Sequence, residues 1–240
     1  MKRVPIEKTV ALPEGKAVGC RWSYPEDVRV HDSRSPIVFL IPEFYLHDIS
    51  RDGAGFLRAT NFAELSTELN RCGLITFEFD ASQSLHPQEI AELYRQGLEN
   101  DAVDPDRAVL LALGQSADLL ARSYYDFFTV HPPRGLILIS PRVGPLELNN
   151  VTCPYLMLHS QLDSKRTGHD VNAMKEATQR HQMRYGDPTT YLVLPQISGQ
   201  GSEVLAQDAL REVCGWLDLA VFDEGFAHRF RGTGTEPMHI

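Results

Sequence analysis

No stretch of this chain approaches the roughly 18 consecutive apolar residues that a membrane-spanning helix needs, and the opening MKRVPIEKTV lacks the apolar centre of a secretion signal. Both absences lead to the expectation of a cytoplasmic protein. Positive charge is scarce as well: 23 Lys and Arg stand against 32 Asp and Glu, a formal net charge of -9. A nucleic-acid backbone or an anionic membrane would be repelled by that field. The nearest approach to a basic patch, Lys165 and Arg166, is two residues long. No nucleic acid and no membrane is therefore expected as partner. The four cysteines (Cys20, Cys72, Cys153, Cys214) are far apart and each lies in an apolar pattern, which excludes a disulfide framework or a metal knuckle and reads as buried thiols. Phosphate loop, metal-ligand spacing and dinucleotide fingerprint are all missing, so neither metal nor cofactor is implied. What remains as a partner is a small-molecule substrate or ligand. Nothing in the sequence specifies the oligomeric state.

What is present is a globular composition, 42% hydrophobic and 23% charged, arranged as short apolar runs alternating with helical patterns. That alternation is the mark of βαβ units. Val4 to Val10 and Lys16 to Tyr24 read as an opening antiparallel hairpin. PIVFLI (Pro36 to Ile41) is too continuously apolar for a strand with one wet face, so helices should cover both of its sides. TNFAELSTELNRCG offers Thr60 as N-cap, Phe62, Leu65, Leu69 and Cys72 as an apolar face, and Gly73 as terminator. LITFEF follows as a strand, then a helix opened by Pro87 with Ile90, Leu93, Tyr94 and Leu98 as its stripe. After AVLLAL come a helix from about Ser116 into YYDFF, strands GLILIS and YLMLHS, a helix around VNAMKEATQR, strand TYLVL, and a last helix from about Ser202 to Phe222. The expected fold is α/β: a mostly parallel eight-stranded sheet with helices on both faces, one domain over residues 4–222 and a loosely packed tail over 223–240. PRVGPLELNNVTCP, between two of the strands, is too short for a large lid domain.

The chemistry concentrates in VLLALGQSADLLARS, where an apolar run stops at Gly114, exposes Ser116 and resumes as an amphipathic segment. Gly114-Gln115-Ser116-Ala117 fits the first four places of the G-x-S-x-G nucleophile elbow, with Asp118 in the fifth. The other reading is that Ser116 simply caps a helix, since Ser at N-cap with an acidic residue shortly after is good helix-start chemistry.

With the hairpin, the βα alternation and a serine turn after the fifth strand, the chain resembles the α/β-hydrolase fold superfamily over roughly residues 4 to 222. The resemblance implies a serine hydrolase acting on an ester, thioester or amide of a small molecule, with Ser116 as nucleophile. YLMLHSQLD resembles the family's strand ending in H-G-x-x-D, which places Asp163 in the acid position and gives His159 a structural role. The resemblance assigns the oxyanion hole to the backbone amides of Phe44 and Ala117. Three departures stand against it. The histidine is missing from LPQISGQGSEVL, the loop after the last strand, where Gln200, Gly201 and Glu203 offer no imidazole. IPEFYLHD replaces the family's His-Gly after the third strand, and FEFDASQSL keeps only Asp80 and a serine of a glycine-bearing loop. His47 and His169 are the displaced histidines nearest to the expected site, and His228 and His239 lie in the tail. A serine without its base keeps only about 10³ to 10⁴ of rate over water. The degenerate triad thus leaves two other functions open: a hydrolase-fold protein that only binds, or a biosynthetic lyase, cyclase or acyl-transfer enzyme using the same pocket.

Overall fold

Residues Ile6–Ala11 (β1) and Ala17–Ser23 (β2) pair antiparallel in the opening hairpin, Ile6 opposite Trp22 and Ala11 opposite Ala17. The computed structural model describes residues 5–25, 34–43, 62–80, 85–161, 170–186, 188–198 and 205–222. Six more strands follow: β3 (Ser35–Ile41), β4 (Ile75–Phe79), β5 (Val103–Leu113), β6 (Gly135–Ile139), β7 (Tyr155–Ser160) and β8 (Thr190–Leu194). Among the described residues all eight form one sheet in the order β1-β2-β4-β3-β5-β6-β7-β8. Pairing is antiparallel across β1-β2 and β2-β4 and parallel from β4 to β8. The expected mostly parallel eight-stranded α/β sheet is the observed one.

Among the described residues five α-helices of two turns or more cover it: α1 (Ala63–Arg71), α2 (Pro87–Leu98), α3 (Gly114–Phe128), α4 (Val171–Tyr185) and α5 (Gln207–Leu217), the last continued by a wider turn over Asp218–Phe222. Alternation within the strands sends their side chains to opposite layers. Ile37, Phe39 and Ile41 of β3 join a core with Ile90 and Tyr94 of α2, Leu120 and Tyr124 of α3 and Met174 of α4. Val38 and Leu40 join the other, with Leu65 and Leu69 of α1 and Val213 and Trp216 of α5. β3 is buried along its whole length, as its unbroken apolar run requires.

The helix ends follow their local chemistry. Pro87 opens α2, and the Glu89 carboxylate accepts from the His86 amide at 2.7 Å in a capping box. Asp170 caps α4 by accepting from the amides of Asn172 and Ala173. Gly73, at φ +83°, ends α1 as expected. Other expectations need correction or lie elsewhere. Cys72 is exposed and Cys214 half-buried, so only Cys20 and Cys153 are the buried thiols expected of all four. The last helix begins at Gln207 rather than near Ser202, because Ala206 is still extended (φ -64°, ψ 153°). Thr60, Ser202 and the tail over 223–240 lie outside the described residues.

Candidate functional site

Open parallel sheets bind their ligands at the carboxyl ends of the strands. In this molecule that edge carries Pro42 and Glu43 after β3, Gly114 after β5, Ser140 to Arg142 after β6, and His159 and Ser160 closing β7. The sharp reversal from β5 into α3 is made by Gly114. It alone there has a left-handed backbone, φ +50°, between the extended Leu113 (φ -108°, ψ 140°) and the helix. A side-chain-bearing residue pays for that conformation in steric strain, and glycine does not.

The turn is therefore two residues earlier than the expected elbow. Ser116 was the residue expected on it with its hydroxyl facing the pocket; instead Ser116 lies in the first turn of α3, is 0% exposed, and donates its hydroxyl hydrogen to the Pro42 carbonyl. It does not cap the helix either, since the N-cap position belongs to Leu113 and no side chain fills it. Ala117, the expected oxyanion donor, is also moved inward. With Leu113 as N-cap it is the fourth helical residue, the first whose amide finds an acceptor within the helix.

The residue that faces the reversal is Glu43. A Cβ built on Gly114 would stand 2.5 Å from the Glu43 carboxyl carbon and 3.0 Å from Oε2, so the carboxylate fills the space that a side chain at the turn would take. Its Oε1 also accepts from the Gln115 amide at 3.4 Å, at the positive end of the α3 dipole. The pair of turn glycine and carboxylate is what sequence reasoning missed. Glu43 lay in a loop whose course could not be read, and the only signal was a carboxylate immediately following an apolar strand.

The remaining motif residues tie loops to the scaffold. Asp118, 8% exposed, accepts from the Arg142 amide, which holds the chain just beyond Ser140, itself left-handed at φ 52°. His159, fully buried, donates from Nε2 to the Pro141 carbonyl at 2.6 Å and packs edge-on against Tyr191. Ser116, Asp118 and His159 thus clamp the exits of β3 and β6 at three adjoining points. This explains the carboxylate at 118, where the elbow pattern has glycine. Phe44, His47, Asp163, His169 and Glu203 lie outside the described residues. No group of three or more His, Cys, Asp or Glu suited to a metal occurs among the described residues. No described helix is long and apolar enough to cross a membrane.

No protein-family model matches the chain, and no curated protein sequence matches it. Solved structures do. An esterase of Thermogutta terrifontis, esterase 2 phosphorylated by paraoxon, superposes with a TM-score of 0.60 at 13% identity over 92% of this chain and 95% of its own. A fungal esterase from Rhizomucor miehei gives 0.60 at 13% over 90% and 82%, and DcsB in complex with its substrate analogue gives 0.62 at 11% over 91% and 100%. At identities this low the likeness concerns the arrangement of strands and helices.

Proposed function

Because the chain has the α/β-hydrolase fold, with a glycine on the turn where that fold carries its nucleophile, we propose that it has given up serine hydrolysis and binds a small molecule at the carboxyl edge of the sheet. The observation that carries this reading is the left-handed Gly114 with the Glu43 carboxylate in the space beside it. A second, independent support is the missing histidine after the last strand, since an alcohol without a base is a weak nucleophile. Ser116, buried and committed to the Pro42 carbonyl, serves as a latch for the β3 exit in this reading. Asp163 then has no triad to complete.

The chemistry at the edge is that of Glu43, a half-buried residue whose carboxylate accepts from the Gln115 amide. It favours a ligand bearing an ammonium, amidinium or strong hydrogen-bond donor over an anion, which Glu43 would repel. The competing reading is hydrolysis of a small ester, thioester or amide by Ser116, with Phe44 and Ala117 as oxyanion donors. The G-x-S spacing favours it, and it requires the turn to slide by two residues. A thermal-shift panel divided into small cations, neutral hydrogen-bond donors and carboxylates, run beside turnover of activated acyl esters, separates the two. Stabilisation by members of the first two groups, lost in Glu43→Gln, with no turnover is the expected result. Turnover abolished by Ser116→Ala overturns the proposal.

A further inference from the structure

Among the described residues one non-glycine has a left-handed backbone, and it stands at the carboxyl edge of the sheet: Ser140, φ 52°, directly after β6. A residue with a Cβ is strained there, and Pro141 behind it favours an extended backbone instead. Three hydrogen bonds hold the turn. The Ser140 amide donates to the Leu158 carbonyl at 2.8 Å, the Pro141 carbonyl accepts from His159 Nε2 at 2.6 Å, and the Arg142 amide donates to Asp118. Strain that the surroundings enforce in this way concentrates at ligand clamps. Strand register puts Ser140 beside the proposed site. Ile41 pairs with Ala112 and Leu113 with Ile139, so continuing the two ladders brings Glu43 to Gly114 and Gly114 to Ser140. The first approach is seen directly in the Glu43 carboxyl carbon, 2.5 Å from the Cβ position of Gly114. Neighbouring strands run about 4.8 Å apart, which sets the carboxylate over Gly114 one such spacing from Ser140. Both Glu43 and Ser140 are half-buried.

Resting on the reading of Glu43 as a ligand site, we propose that Ser140 is its second half: the Ser140 hydroxyl oxygen and the Glu43 carboxylate accept two hydrogens of one primary ammonium held between them. Two acceptors each about 2.8 Å from one nitrogen, at the tetrahedral angle, stand about 4.6 Å apart, which matches the spacing of the strands. An ammonium has three donors, so the third is left for water or for a further acceptor. The serine oxygen carries two lone pairs and accepts whatever its own hydrogen does. The ligand class narrows accordingly from cations and strong donors to primary amines. A quaternary ammonium has no N–H to offer and keeps only the charge of Glu43. Serine stands, for its hydroxyl, at a position whose backbone glycine would adopt without strain.

The test is isothermal titration of the full-length protein with propylamine and with propyltrimethylammonium, beside Ser140→Gly, Ser140→Ala and Glu43→Gln, and a thermal melt of each without ligand. Both Ser140 variants are expected to weaken propylamine about tenfold, the worth of one hydrogen bond to a charged group, and to leave propyltrimethylammonium within about twofold. Ser140→Gly alone also melts about 2–4 °C higher, because glycine takes the left-handed turn freely. Propylamine affinity that is unchanged in both Ser140 variants but lost in Glu43→Gln overturns the role of Ser140 and leaves Glu43 as the site. A lower melting temperature for Ser140→Gly also overturns it, since the serine then serves the turn and not a ligand. Binding of neither amine to the unaltered chain overturns this inference together with the reading it rests on.

Discussion

At the scale of single residues, identity and role come apart. Ser116, Asp118 and His159 are the side chains a hydrolase pattern singles out, and all three are buried, each with a polar atom bonded to backbone. Ser116→Ala removes the donor that satisfies a buried carbonyl, and such a loss costs about 1–3 kcal/mol. The expected outcome of urea denaturation is a loss of stability in that range. Ligand-induced thermal stabilisation by the cations that bind should survive it. The sequence made Ser116 visible because serine after glycine is a pattern, and left its orientation hidden because the two-residue position of a turn depends on φ. Glycine adopts positive φ freely, and Gly114, read as the first place of the elbow pattern, makes the turn itself.

Among the elements, close approach of backbone to aromatic ring decides how tightly the layers stack. Gly97 of α2 lies over β3, where an added Cβ would stand 2.8 Å from Cζ of Phe39 and closer still to Cε1. Phe39 is wedged among Phe77, Phe79 and Tyr94, so its ring has no room to retreat. Gly97→Ala is expected to destabilise by about 1–3 kcal/mol through overpacking, read as a lower urea midpoint with an unchanged slope. On α4, burial pushes the His181 ring down to about 4 from the ordinary 6.5, its bond to the Val151 carbonyl opposing this and Arg184 adding to it. The unfolded chain takes up that proton below 6.5 and the folded chain only near 4. The contribution is therefore complete above pH 6.5 and is lost as pH falls from there towards 4. Urea midpoints measured at several pH values across that window should fall more steeply for the unaltered protein than for His181→Gln. Strands and helices were largely legible because apolar runs and 3.6-residue stripes survive without tertiary information. Helix starts at Pro87 and the stop at Gly73 were legible from caps. The extended β5, running from Val103, was not: DPDR interrupts its apolar pattern, and a register shift in its pairing with β3 carries the chain through.

For the whole molecule, an eight-stranded sheet with helices on both faces was readable from the order of apolar runs, and the solved structures share that arrangement at identities of 11–13%. The site was legible only as a neighbourhood. The turn after AVLLAL is its centre, yet the carboxylate beside that turn comes from Glu43, roughly 70 residues away in sequence. No local pattern brings the two together; parallel pairing of β3 with β5 does. The central claim is that the turn carries glycine and the serine behind it is a latch. Intact-mass spectrometry of the full-length chain after incubation with a fluorophosphonate tests this most directly. The account predicts an unchanged mass under conditions that label a serine hydrolase to completion. A stoichiometric adduct mapped to Ser116, absent from Ser116→Ala, would contradict it.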